Sequence, residues 1–165
     1  MYIWKRAQIL VAETWAAFHP PADAPHPLFP GGAAIHALTM FADYRVPQIL
    51  HHLRILSYPP VLADLLRAHT PLAPGSAPEL SIRAASVVAV ERVRQEIVAI
   101  VAEEARGEAQ GETTKERRKR AEEAVSSVLI DFYLWDLAKR VEGQADDIAD
   151  ATPMLPIHRT RSIWY

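Results

Sequence analysis

No cysteine occurs among the 165 residues. That removes disulfides, thiolate metal sites and a thiol nucleophile together, and it fits a reducing compartment, so the expected location is the cytoplasm. Long apolar runs are missing as well. No stretch approaches the ~20 residues needed to span a bilayer, and the N-terminus lacks the basic, apolar, small-residue order of a secretory leader. Neither sign of charge is in excess: 18 Lys and Arg stand against 20 Asp and Glu, a net charge of −2. No global positive field therefore attracts duplex nucleic acid. What is present is apolar substance, since 50% of the residues are hydrophobic. A chain of this size and composition buries a core and does not stay disordered.

Glycine is sparse, at six residues, but the 13 prolines are grouped and punctuate the chain. Residues 2–18 read as an amphipathic helix, with Ile3, Ala7, Leu10, Val11, Trp15 and Phe18 on its apolar face. Lys5 and Arg6 lie off that face, near its edge. Five prolines between residues 19 and 32, ending in Gly31-Gly32, make a Pro-rich loop 19–32. A short helix is expected over 33–42 and another from Pro47. After a break at Ser57-Tyr58-Pro59-Pro60 comes a helix over about 60–69, then a loop through Pro71, Pro74, Gly75 and Pro78. The spacing predicts a long helix over 82–105, with Val87, Val90, Val93, Ile97, Ile100 and Val101 inward. Residues 103–120 hold eleven charged side chains of both signs, plus Gly107 and Gly111. They read as a solvated, charged interhelical loop 103–120, because Glu112, Glu116, Glu122 and Glu123 dilute the basic residues at 115–120. Residues 115–141 read as one helix striped by Ala121, Ala124, Val125, Val128, Leu129, Phe132 and Trp135, and ended by Gly143. With no strand pattern and no repeat, the expected fold class is all-α: a helical bundle forming a single domain over 1–165.

One stretch, residues 38–50, organises the rest. Pro47 has no amide hydrogen and fits only the first turn of a helix. Ile49, Leu50, Leu53 and Leu56 follow at helical spacing and need a core. Just ahead stand Asp43, Tyr44 and Arg45, where backbone N–H groups are unpaired and the helix dipole favours anions. Asp43 reads either as a helix cap or as a rigidly held functional carboxylate; the two are compatible. Asp131 and Asp136 fall about 140° apart around their helix at ~100° per residue, bracketing its apolar stripe. His51-His52 diverge by about 100° and make a poor metal pair, and no other metal-ligand spacing occurs.

Four stretches carry a resemblance to one family. Phe41-Ala42-Asp43-Tyr44-Arg45 with Pro47-Gln48 is similar to the central motif of the queuosine salvage proteins. Trp4-Lys5-Arg6-Ala7-Gln8, Asp131-Phe132-Tyr133-Leu134-Trp135-Asp136 and the ending His158-Arg159-Thr160-Arg161-Ser162-Ile163-Trp164-Tyr165 resemble the same family in the same order. The resemblance implies a fold similar to helical DNA glycosylases. It also implies N-glycosidic hydrolysis of queuosine 5′-phosphate, releasing queuine for tRNA modification, with no cofactor and no metal. Carried over residue by residue, it makes Asp43 the catalytic carboxylate and assigns Asp131, Phe132 and Asp136 to the base. Phe132 stands where a Tyr is usual, and Ser81 where a Glu usually precedes the Ile-Arg of the long helix.

The chemistry is consistent with those roles. A fixed carboxylate stabilises positive charge developing on the sugar. Phe41 offers a flat face for a heterocycle, and ionised carboxylates accept from the donor-rich edge of a guanine-like base. Queuine is a 7-deazaguanine, so the ring position that purine glycosidases often protonate is carbon, which shifts the demand onto Asp43. Lys5, Arg6 and Arg45, with Arg159 and Arg161, are candidates for the 5′-phosphate, or equally for pairing with these acids. Family members are longer, and the matched motifs belong to their C-terminal half. A second polypeptide supplying the missing N-terminal half is therefore expected as a partner. The alternative is a non-catalytic helical interaction or nucleic-acid-binding module on the same scaffold.

Overall fold

A computed structural model describes residues 4–21, 24–30, 33–105, 113–143 and 148–162. Its elements are α1 (Lys5–Ala17), a 3₁₀ turn (Ala33–Ala37), α2 (Arg45–His52), α3 (Pro60–Arg67), α4 (Ala77–Glu104), α5 (Thr114–Ala124) and α6 (Ser127–Glu142). No strand occurs among the described residues, so the fold is all-α as expected. None of their helices is long and apolar enough to cross a membrane. Ile3, Gly31-Gly32, Gly107, Gly111, Glu112 and Ile163-Trp164-Tyr165, all part of the sequence patterns above, lie outside the described residues.

Local grammar sets most helix starts. Pro47 is the third residue of α2, inside the turn whose N–H groups have no helical partner. Pro60 opens α3. Pro78 opens α4, which therefore begins at Ala77 and not at 82. Proline here starts a helix where it was expected to prolong a loop, and the added turn contains Glu79. Thr113 and Glu116 form a reciprocal capping box, so α5 begins inside the stretch expected as charged loop. The helix expected over 115–141 is two: Val125 is extended, and Ser126 Oγ accepts the Leu129 N–H to start α6. The short helix expected over 33–42 is only the 3₁₀ turn, and residues 38–43 are irregular.

The break before α6 shifts its phase. The predicted stripe residues Leu129 and Trp135 are exposed, while Val128, Ile130, Asp131, Leu134, Leu137 and Ala138 face inward. In α1 the expected face is largely outward. Leu10 and Phe18 are exposed, and Ala12 with Lys5 is buried. This helix carries two apolar stripes, and the one docked runs through Ile9, Ala12 and Trp15. In α4, Ile100 and Val101 are exposed, whereas Val98 and Ala102 receive Ala121 of α5.

The core is organised about the irregular residues 40–43, which turn tightly where the Asp43 N–H donates to Phe41 O at 2.6 Å. Met40 and Ala42 join Val46, Ile49, Leu50, Val90, Ile130, Leu134 and Leu137 in the main cluster. Phe41 turns the other way, into the cluster of Ala12, Ile35 and Val128. Full burial of a Leu or Ile stabilises by about 1.5–3 kcal/mol relative to exposure, and Ile49 and Leu50 are fully buried. The irregular tail closes over α2: Gln48 Nε2 donates to Leu155 O at 2.8 Å, and the Leu72 N–H to Arg159 O at 2.7 Å.

Candidate active site

A buried irregular segment must satisfy its backbone without helix or sheet. Here side chains supply them. The Thr39 N–H donates to Gln8 Oε1 (3.1 Å), the Phe41 N–H to Asp131 Oδ1 (2.9 Å), and Arg83 Nε to Ala42 O (3.0 Å). Residues from α1, α4 and α6 thus converge on the few residues before Asp43.

Asp43 follows directly. Its Oδ1 accepts the N–H groups of Arg45 and Val46, each at 2.9 Å, in the first turn of α2. It is a cap, and it is also 7% exposed. Burial pushes its carboxyl above the usual range, against the Val46 N–H and the Lys5 charge, which pull it down. Asp131 lies in the centre of the inward face of α6, 3% exposed, rather than on the border of a stripe. Burial, then the charge of Asp43, push its carboxyl up to about 8, although the Phe41 N–H and Lys5 oppose this. Two carboxyls in one low-dielectric site titrate apart. Both carboxyls are displaced upward, and Asp131, at about 8, holds its proton at neutral pH. The expectation of Asp131 as an ionised, acceptor-only group is therefore corrected: one oxygen already accepts from Phe41, and the neutral carboxyl has a proton to donate.

Lys5, expected near the rim of α1, is instead buried. Desolvation lowers its ammonium pKa, opposed by the nearby charges of Asp43 and Asp131. Its Nζ stands 5.8 Å from the centre of the Tyr44 ring, at the outer range of a cation–π contact. His158, 4% exposed, is held neutral by burial and by the neighbouring Arg83 and Lys5, its pKa lowered to about 4.

The fold brings Lys5, Asp43 and Asp131 together and sets Phe41 against Phe132, ring centres 5.9 Å apart and tilted by 58°. Phe41, expected as an open stacking face, is core; Phe132 is only half-buried. Arg45, expected for phosphate, donates through Nη1 to Gln48 Oε1 (3.2 Å) and Glu142 Oε2 (2.8 Å), and its backbone N–H is what meets Asp43. Asp136 is not brought into the cluster: it is exposed and pairs with Arg140. It does stand one turn beyond Phe132.

Two contributors were missed. Glu79 fell before the expected helix start at 82, although Pro78 is a helix-start signal, and its partner Arg83, inside that helix, was given no role. His158 carried only its place in the matched ending.

The family model that matches is that of the queuosine salvage protein, over residues 1–165. Curated relatives are named queuosine 5′-phosphate N-glycosylase/hydrolase. That of Schizosaccharomyces pombe is 38% identical over 99% of this chain and 40% of its own length. Those of Bos taurus and Nematostella vectensis are 36% and 35% identical over 98% of this chain, and over 40% and 41% of their lengths. The chain thus spans about 40% of the length of the curated relatives it matches.

Proposed function

The chain belongs to the queuosine salvage protein family, and from that premise we propose that its carboxylate cluster hydrolyses the N-glycosidic bond of queuosine 5′-phosphate and releases queuine. The observation that carries this reading is the pair Asp43 and Asp131: two buried carboxyls, both pushed above the usual range, that hold the same short segment, Asp131 through the Phe41 N–H and Asp43 through the Arg45 and Val46 N–H groups. Environments that displace two coupled carboxyls in this way divide chemical roles between them.

Asp43 is the catalytic carboxylate. As the bond from the sugar to the base lengthens, positive charge grows on the anomeric carbon, and a carboxylate held by two backbone N–H groups stabilises it without reorganising. Water then adds to that carbon, its oxygen forming the new bond, and the base departs with a proton. Asp131 holds the base, through its acidic hydrogen as donor and its remaining acceptor capacity. Phe132 supplies the stacking surface, and Phe41 supports it from below. Lys5 provides positive charge for the 5′-phosphate side, while Arg45 orders the first turn of α2 through Glu142.

A second polypeptide, or a further segment, completes the site. Two observations support this: the chain covers about 40% of its relatives, and α1 turns Trp4, Leu10 and Phe18 to solvent at 70%, 66% and 55% exposure. Apolar faces of that kind mark interfaces. The test is chromatographic release of queuine from queuosine 5′-phosphate by the purified chain, alone and with the missing part of a family member. Release only in the completed mixture is expected. No release in either overturns the glycosylase reading; full turnover by a monodisperse monomer overturns the partner.

A further inference from the structure

Arg83 grips the backbone between two of the groups given a chemical role above. Its Nε donates to the carbonyl of Ala42, which joins Phe41 to Asp43 and is fully buried. Its Nη1 donates to Glu79 Oε1 at 2.8 Å, and the other Glu79 oxygen accepts the Gly75 N–H at 3.1 Å. Gly75 sits at φ +75°, a left-handed conformation that glycine adopts without strain and that aims its N–H at Glu79. The chain of bonds therefore runs from a turn, through the first two turns of α4, to the residue before Asp43. A guanidinium is well matched to such a double grip. It is always charged, and its rigid fork reaches a carboxylate and a carbonyl at once, which a single ammonium does not.

The two bonds to the segment come from different helices. Asp131 on α6 holds the Phe41 N–H, and Arg83 on α4 holds the Ala42 carbonyl. In a sheet, neighbouring strands would fix both; here two side chains do. Asp43 in turn binds the Arg45 and Val46 N–H groups, so its carboxylate position depends on where Ala42 is pinned.

We propose, on the reading that this is a glycosylase site, that the Glu79–Arg83 pair is a positioning device that fixes Asp43 through the Ala42 carbonyl. Arg83 is a positioning residue and not a catalytic one.

The experiment is amide hydrogen exchange on the chain as it stands, for wild type and for the double variant Glu79→Gln/Arg83→Gln, which leaves no buried charge unpaired. Protection of the Phe41, Arg45 and Val46 amides falls by about tenfold or more beyond any change at interior amides of α6, which report global stability. Where the completed enzyme turns over, kcat falls roughly 10²-fold, as for a displaced catalytic group, while KM for queuosine 5′-phosphate stays within about threefold. A uniform fall across all amides, or a folded variant with unchanged kcat, overturns the proposal. Should the double variant fail to fold, Arg83→Lys keeps the charge on Glu79 but not the fork, and the same local loss of protection is expected. If wild type shows no turnover in any mixture, the glycosylase reading fails, and the exchange pattern still decides whether Arg83 holds the segment.

Discussion

Glu79 and Arg83 are 2% and 5% exposed, and Asp43 and Asp131 are 7% and 3% exposed, so burial does not distinguish the two clusters. Their partners do. Glu79 meets a guanidinium and a backbone N–H within one turn of helix, so opposite charges face each other with their geometry satisfied. Asp43 and Asp131 are two carboxyls within electrostatic reach of each other, so that ionising both is disfavoured, and Lys5, which lies near both, is itself desolvated. The first cluster is at rest and serves to hold backbone. The second keeps its carboxyls away from their ordinary protonation, the condition in which acids and bases work near neutral pH. The same degree of burial thus leaves ordinary ion pairing where charges match and displaced protonation where they do not.

The sharpest way to break this contrast is to remove one member of each cluster. Arg83→Met leaves Glu79 buried and unpaired, and should destabilise the fold by about 3–5 kcal/mol in urea denaturation. Asp131→Asn replaces an already neutral group by one of equal shape that still accepts the Phe41 N–H, so less than about 1.5 kcal/mol is expected at pH 7. Equal losses would mean that both clusters are structural.

Next in size is the effect of charge on turnover. Asp43→Asn keeps the cap but removes the anion, and in the completed enzyme kcat should fall by at least about 10²-fold, with the melting temperature moving by only a few degrees. Normal turnover would reduce Asp43 to a cap.

The titration of Asp131 sharpens the comparison further. Its folded pKa is raised, so between about pH 4 and 8 the native state holds a proton that the unfolded chain has lost. Stability is therefore fully present below the unfolded value and falls as pH rises, with a slope of up to about 1.4 kcal/mol per unit. His158 acts with the opposite sign: its folded pKa is about 4, so stability is lost as pH falls from 6.5 toward 4. The two slopes oppose each other below pH 6.5, and Asp131 stands alone of the pair from there to about 8. Asp131→Asn should abolish the decline in that upper window in chemical denaturation and leave the His158 limb unchanged. A curve identical to wild type would refute the raised titration of Asp131.

The smallest effect is expected at Asp136, on the same helix as Asp131. Its exposed pair with Arg140 contributes less than about 1 kcal/mol. Asp136→Asn should leave stability and the calorimetric affinity for queuine within error. A clear loss of affinity would bring Asp136 back into base recognition across the exposed flank beyond Phe132.

The sequence by itself determined the helical class, most helix starts and the residues from which a site had to be built. Helical spacing, proline in first turns and the capping residues are local, and each needs only a few neighbours along the chain. Asp43 was legible in this way, because its cap partners are two and three residues away. Even signals that were passed over, such as Thr113 with Glu116 or Pro78 at the start of α4, were local. Only the tertiary structure decided the phase. Periodicity fixes the angle between residues about a helix axis, but where two stripes are apolar it does not say which one docks. Lys5 therefore proved buried and Leu10 exposed in α1, and Asp131 proved central in α6. The bonds that define the site are equally non-local: Asp131 lies 90 residues from the Phe41 N–H it accepts, and Arg83 lies 41 from the Ala42 carbonyl it holds. Such pairings carry no pattern in the sequence, because they follow from how helices pack and not from how any one helix forms.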